Sequence, residues 1–144
     1  MAQICTRLTG AEDIRFLKGR TGAALAIGDP VSIDDDTFDV IAAVTGKFIA
    51  GIAKDALGAA STAVIRYDAL HPGDIVRIKI AAGTGGAISE KGQYVDLVGV
   101  TGVTLTESSK DCFVVGWNGD AAYLDVQFMN LMQTFGPTLA TTAD

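Results

Sequence analysis

Apolar and polar residues alternate along much of this chain in short runs, and glycine cuts the runs apart. The clearest run is residues 75–80. Val76, Ile78 and Ile80 fall on one face and Arg77 and Lys79 on the other, the period of two that a half-buried strand requires. Residues 122–128 alternate in the same way, and stretches 31–33, 63–67, 94–98 and 100–106 have β-branched strand composition. Residues 48–53 and 113–117 are continuous apolar runs of buried-strand length. Gly51 inside the first predicts a place where another backbone comes close. Turn chemistry punctuates the pattern at Gly28-Asp29-Pro30, at His71-Pro72-Gly73-Asp74 and at Asn118-Gly119, with a further break at Thr45-Gly46. Short strands at about 8–12-residue spacing, with hardly any helical periodicity, predict an all-β fold, a small β-sandwich or barrel.

The pattern also repeats. Gly28, Val31 and Ile33 return as Gly92, Val95 and Leu97, and Phe48, Gly51, Asp55 and Ala56 return as Phe113, Gly116, Asp120 and Ala121. Glycine and apolar anchors recurring in one order predict a duplicated strand unit. Phe48 with Phe113 and Gly51 with Gly116 then serve as its core and close-packing positions, and Asp55 and Asp120 as turn residues.

Charge changes the picture at the N-terminus. The chain has 11 basic and 17 acidic residues. Arg7, Arg15, Lys18 and Arg20 stand in the first 20 residues against Glu12 and Asp13, which leaves 7 basic and 15 acidic residues for the rest. Residues 1–22 are poor in apolar positions, and residues 12–18 offer one short helical turn, marginal alone. The expected organisation is an extended N-terminal arm at 1–22, a single β domain at 23–128 and a C-terminal tail at 129–144. Such an arm orders on a partner, so Arg7, Arg15, Phe16, Leu17, Lys18 and Arg20 are candidate partner contacts. An acidic body argues against nucleic acid, which needs clustered cations. No run approaches the roughly 18 apolar residues of a membrane span, and the first ten residues are too polar for a signal peptide. Cys5 and Cys112 make no disulfide framework and read as free thiols of a protein made in a reducing cytoplasm.

No residue set announces chemistry. His71, the one histidine, sits in a Pro-Gly turn without a recognisable nucleophile–base pairing. The acidic turn at residues 34–39 lacks the alternating ligands, central glycine and terminal glutamate of a calcium loop. The glycine-rich residues 82–87 lack the Gly-Lys-Ser/Thr and the following helix of a phosphate loop. Cys5 and Cys112 have no histidine nearby in sequence. No catalytic, cofactor-binding or metal-ligating set is therefore expected. Trp117 and Tyr123 flank the Asn118-Gly119 turn, where they serve either core packing or a contact surface.

Four stretches carry a resemblance: Gly28-Asp29-Pro30-Val31, Phe48 to Ala53 with Gly51 within it, Gly73-Asp74-Ile75-Val76, and Phe113 to Gly116. This arrangement, spanning residues 23–128, resembles the capsid decoration (cement) proteins of tailed bacteriophages. The resemblance implies a non-enzymatic virion protein on the outer capsid surface. Its partners would be the major capsid protein and its own copies in a homotrimer, and it would need no cofactor. A tail or baseplate module, or a small ligand-binding β barrel with the His71 turn at its mouth, is the alternative.

Overall fold

The computed structural model describes residues 3–20, 24–34, 36–44, 48–106 and 108–131. Within them the fold is all-β, as the alternation predicts. The strands are β1 (Cys5–Arg7), β2 (Ile14–Lys18), β3 (Pro30–Ile33), β4 (Val40–Ala42), β5 (Gly51–Ala53) and β6 (Val64–Ala69). They continue as β7 (Val76–Lys79), β8 (Tyr94–Leu97), β9 (Val103–Thr104), β10 (Cys112–Gly116) and β11 (Tyr123–Phe128), with one 3-10 turn at Ile88–Glu90. They form two antiparallel sheets, ordered β2-β6-β5-β3-β4 and β1-β7-β11-β10-β8-β9. No helix among the described residues is long and apolar enough to cross a membrane.

Set β1 aside and the two sheets have one topology. β2, β3, β4, β5 and β6 occupy the places of β7, β8, β9, β10 and β11. The correspondence reaches individual hydrogen bonds. Gly28 donates its N–H to the Ala53 carbonyl at 2.9 Å, and Gly92 donates to the Val114 carbonyl at 2.8 Å. Both glycines have positive φ, 92° and 87°, which glycine adopts without steric cost. Parallel bridges from Gly19 to Val40 and from Ile80 to Val103 draw the ends of each unit's first and third strands together and curl the sheet. The duplicated unit is present in the fold.

Its register differs from the sequence alignment in one place. β3 and β8 correspond as aligned, with Val31 on Val95 and Ile33 on Leu97. In β5, however, Gly51 stands opposite Val31, and the residue opposite Val95 is Cys112. Gly51 therefore corresponds to Cys112, and the matching Phe-x-x-Gly spacing at 48–51 and 113–116 does not mark equivalent backbone positions. Packing gives the reason. A Cβ on Gly51 would overlap the carbonyl oxygen of Asp68 on β6, whereas one on Gly116 would meet only the Asp125 side chain at 3.8 Å. Gly116 follows an irregularity in the β10–β11 pairing.

The N-terminal segment corrects the expected organisation. β1 pairs with β7, placing Cys5 opposite Ile78, and β2 pairs with β6 along all five of its residues. Residues 12–18 hold no helical turn. Ile14, Phe16 and Lys18 are exposed and Arg15 and Leu17 half-buried, a period of two imposed by the pairing with β6. Cys5 is fully buried in the core of the second unit. The stretch expected to be an arm is thus part of both sheets. The far end of the domain also moves: Leu131 is buried and bridges Ile49, so the body continues past residue 128. Residues 1–2 and 21–22 of the expected arm, Asp35 of the acidic turn, the Thr45-Gly46 break and tail residues 132–144 lie outside the described residues.

Two apolar clusters fill the units. One gathers Val31, Val40, Ile65 and Tyr67 of the first unit. The other gathers Val76, Ile78, Ile80, Val95, Leu97, Leu124 and Val126 of the second, and it also takes in Ile49, Ile52 and Leu70 from the first, which joins the units. Gly51→Ala is expected to destabilise the fold by about 1–3 kcal/mol or more, because the opposing atom is backbone and cannot turn away. Gly116→Ala is expected to fall within about 0.5 kcal/mol of the parent. Urea unfolding of the two variants measures the difference.

Candidate functional site

The densest polar cluster lies where the units meet, and Arg7 is its centre. Its guanidinium is held as a fork on Asp68: Nε donates to Oδ2 at 2.8 Å and Nη2 to Oδ1 at 2.7 Å. Nη2 also donates to the Ala69 carbonyl at 3.0 Å, while Nη1 donates to Asp74 Oδ2 at 2.7 Å and to the Thr9 carbonyl at 3.0 Å. All five N–H donors of an arginine are thereby engaged. The side chains are withdrawn from water, at 10% exposure for Arg7 and 4% for Asp68. The Asp68 hydrogen bond, more than any other cause, raises the Arg7 pKa above its ordinary value. Arg7 therefore joins β1 of one sheet to β6 of the other.

A second tier surrounds this pair. The Asp13 N–H donates to Asp68 Oδ1 at 3.0 Å, and the Ala69 N–H donates to the Asp13 carbonyl at 2.8 Å. The Asp13 carboxylate accepts from Arg15 Nη2 at 2.9 Å and lies 2.7 Å from His71 Nε2. Hydrogen bonds from Arg15 first and His71 second hold the Asp13 carboxyl below its usual range. The backbone N–H of His71 in turn donates to Asp74 Oδ2 at 2.9 Å, and the Asp74 N–H returns a bond to the His71 carbonyl at 3.0 Å, which closes the turn. His71 is thus built into a structural network.

The expected contact residues separate on this frame. Arg7 is the interior crosslink. Arg15 is tied to Asp13, and Arg20 pairs with Asp34, whose carboxylate also accepts the N–H groups of Asp36 and Thr37. Leu17 packs on the first unit's core. Phe16 is the outward one, at 62% exposure, with Lys18 exposed two residues on. Trp117 is half-buried against the second core and donates its indole N–H to the Asp120 carbonyl at 2.9 Å. Tyr123 is half-buried opposite Lys79. The structure does not bring these residues together as one surface. Sequence reasoning passed over Asp68 and Asp74. The available signals were a carboxylate inside the apolar run Tyr67-Asp68-Ala69 and the position of Asp74 at the close of a Pro-Gly turn.

Other candidate groups are committed to the fold. Cys5 and Cys112 are free and buried, and burial pushes both thiols well above their ordinary pKa. Asp96 gathers the N–H groups of Ser108, Ser109 and Lys110. Among the described residues no three His, Cys, Asp or Glu side chains are placed to hold a metal ion. A cleft of about 290 Å³ lies between β1 and β5, lined in part by Cys5, Arg7, Glu12, Ile52, Lys54 and Asp68. Lys54 pairs with Glu12 at 2.8 Å beside it, and the polar groups of Arg7 and Asp68 that face it are already spent on each other. The His71 turn is not part of its lining.

No family model and no curated protein matches this chain.

Two measurements test the cluster. Arg7→Ala leaves Asp68 a buried, unpaired carboxylate and is expected to cost about 3–5 kcal/mol in urea unfolding; Arg7→Lys, which cannot form the fork, recovers only part of that loss. Asp13 carries a lowered pKa, so its stabilisation is complete above the ordinary aspartate value near 4 and is lost as pH falls through the lowered folded value. Asp13→Asn is therefore expected to destabilise the protein at pH 7, with the difference from the parent shrinking steadily below about pH 4. Unfolding curves recorded from pH 7 to acid check the sign.

Proposed function

We propose that this chain is a structural protein of a tailed-phage virion, one that binds the outside of the capsid and braces it by contact and not by catalysis. The observation that carries the reading is the exposed apolar surface of the β2–β6 pair. Phe16 and Val64, 62% and 64% exposed, stand with Ile14 on a sheet where Arg66 is paired with Asp55 and Asp68 with Arg7. Apolar side chains gathered on a rigid sheet favour a protein partner. The duplicated scaffold supports the same reading, because its buried and half-buried polar groups hold the units together.

The proposed partners are the major capsid protein and further copies of this chain, the latter as a homotrimer. Weak contacts repeated over a lattice reach high occupancy through multivalency, so a modest contact area on each copy suffices. The charge of −6 favours a capsid surface with basic or apolar docking positions. Because residues 3–20 are part of both sheets, binding depends on the folded body.

Mixing the purified chain with phage capsids stripped of accessory proteins, and separately with purified tails, tests the proposal. The expected result is saturable co-sedimentation with capsids and a raised capsid melting temperature. Binding to tails alone, or to neither particle, would overturn it.

A further inference from the structure

The two copies of the five-stranded unit differ along one edge. β7 carries β1 on its outer side, but β2, the strand in the same place, has no described strand there. The pairing phase shows what that edge presents. The Gly19 N–H donates to the Ala63 carbonyl and the Ala69 N–H to the Asp13 carbonyl, each at 2.8 Å. Odd-numbered positions of β2 therefore spend their main-chain groups on β6, and those of Ile14, Phe16 and Lys18 alternate toward the open side. On β7 the same phase serves β1: the Lys79 N–H donates to the Ile4 carbonyl and the Leu8 N–H to the Ile75 carbonyl, each at 2.8 Å.

Open edges are usually guarded by charge. In the second unit, where β1 covers β7, Arg77 is held on Asp125 across β7 and β11 at 2.8 Å. At the corresponding position the first unit has Phe16, facing Arg66 on β6. An exposed aromatic at the centre of an open edge invites a strand.

We propose that this edge pairs with the β2 edge of a second copy, antiparallel, about a two-fold axis at Phe16. That register sets Phe16 against Phe16, Ile14 against Lys18 and Arg15 against Leu17. A two-fold axis at Arg15 would set Arg15 against Arg15, like charges directly opposite, one at Leu17 would set Phe16 against Lys18, and one at Ile14 or Lys18 would leave Phe16 without its equivalent. On the exposed face the rows across the joint read Arg66, Phe16, Phe16, Arg66 and Asp68, Ile14, Lys18, Val64, so no like charges stand directly opposite across neighbouring strands. On the other face Leu17 of the second copy lies over a shallow hollow of about 120 Å³ lined by Arg15, Phe16, Leu17 and Tyr67. The contact is isologous strand addition and joins the first sheets of two copies into one. It links copies in pairs whatever their arrangement about a three-fold axis, and it does not rest on the capsid reading.

Phe16→Cys tests the geometry in the full chain. Directly opposed hydrogen-bonded residues in antiparallel strands have Cα atoms about 5.5 Å apart, within disulfide reach, and the native Cys5 and Cys112 are buried. Under mild oxidation Phe16→Cys is expected to form a covalent pair far more readily than Val98→Cys, an exposed control site. Phe16→Pro removes the edge N–H, a change that an edge strand tolerates. It is expected to weaken pairing by about tenfold or more in sedimentation equilibrium. Crosslinking no better than the Val98→Cys control overturns the proposal, as does a Phe16→Pro protein with unchanged thermal unfolding and unchanged association. Should Phe16→Pro fail to fold, the crosslinking comparison decides.

Discussion

One guanidinium on the short N-terminal strand holds together what the rest of the chain builds twice. Arg7 sits on β1, in the second sheet, and its fork closes on Asp68 of β6, in the first. The geometry is demanding, because a charge at 10% exposure is tolerated only when its donors are met. Here they are met by two carboxylates and two carbonyls, which draw in the Asp13, His71 and Asp74 positions around the turn between the units. Breaking this cluster would leave an unpaired buried charge at the seam, where the apolar cores also touch through Ile49, Ile52 and Leu70.

The same strand creates the molecule's asymmetry. Two copies of one topology would be expected to have the same needs at the same edges, yet the chain supplies one N-terminal strand and spends it on β7. The second unit is thereby covered, its outward row neutralised by Arg77 and Asp125. Among the described residues the first unit keeps an open edge with Phe16 at its centre. A scaffold with interior charges paired and one apolar edge open suits action through contact, and this is the link between the fold and the proposed structural role.

Much of the architecture was legible in local pattern. The alternation of Val76, Ile78 and Ile80 with Arg77 and Lys79 marked β7 correctly, because period two is a direct consequence of the pleat. Gly51 could be read as a point of backbone approach, since a buried apolar strand loses packing at a glycine unless a neighbouring backbone needs the room. The longer stretch at 100–106 was read as strand and reduces to Val103–Thr104, because Gly99 and Gly102 both take positive φ and turn the chain. The duplication was visible, but its register at β5 was misplaced. A shared spacing of phenylalanine and glycine carries no information about which residue faces which across a ladder.

What the sequence by itself determined was the class of fold, the positions of most strands and turns, and the existence of two related units. These follow from short-range rules of side-chain alternation and backbone freedom. The tertiary structure alone decided the fate of the N-terminal residues. Their sparse apolar content and basic charge describe a loose arm as well as they describe two edge strands, and only the partners separate the cases. Cys5 finds Ile78, Arg7 finds Asp68 and Asp74, and Phe16 finds an edge with no described strand beside it. Each pairing joins residues more than 60 positions apart or leaves one exposed, and no local pattern encodes that separation.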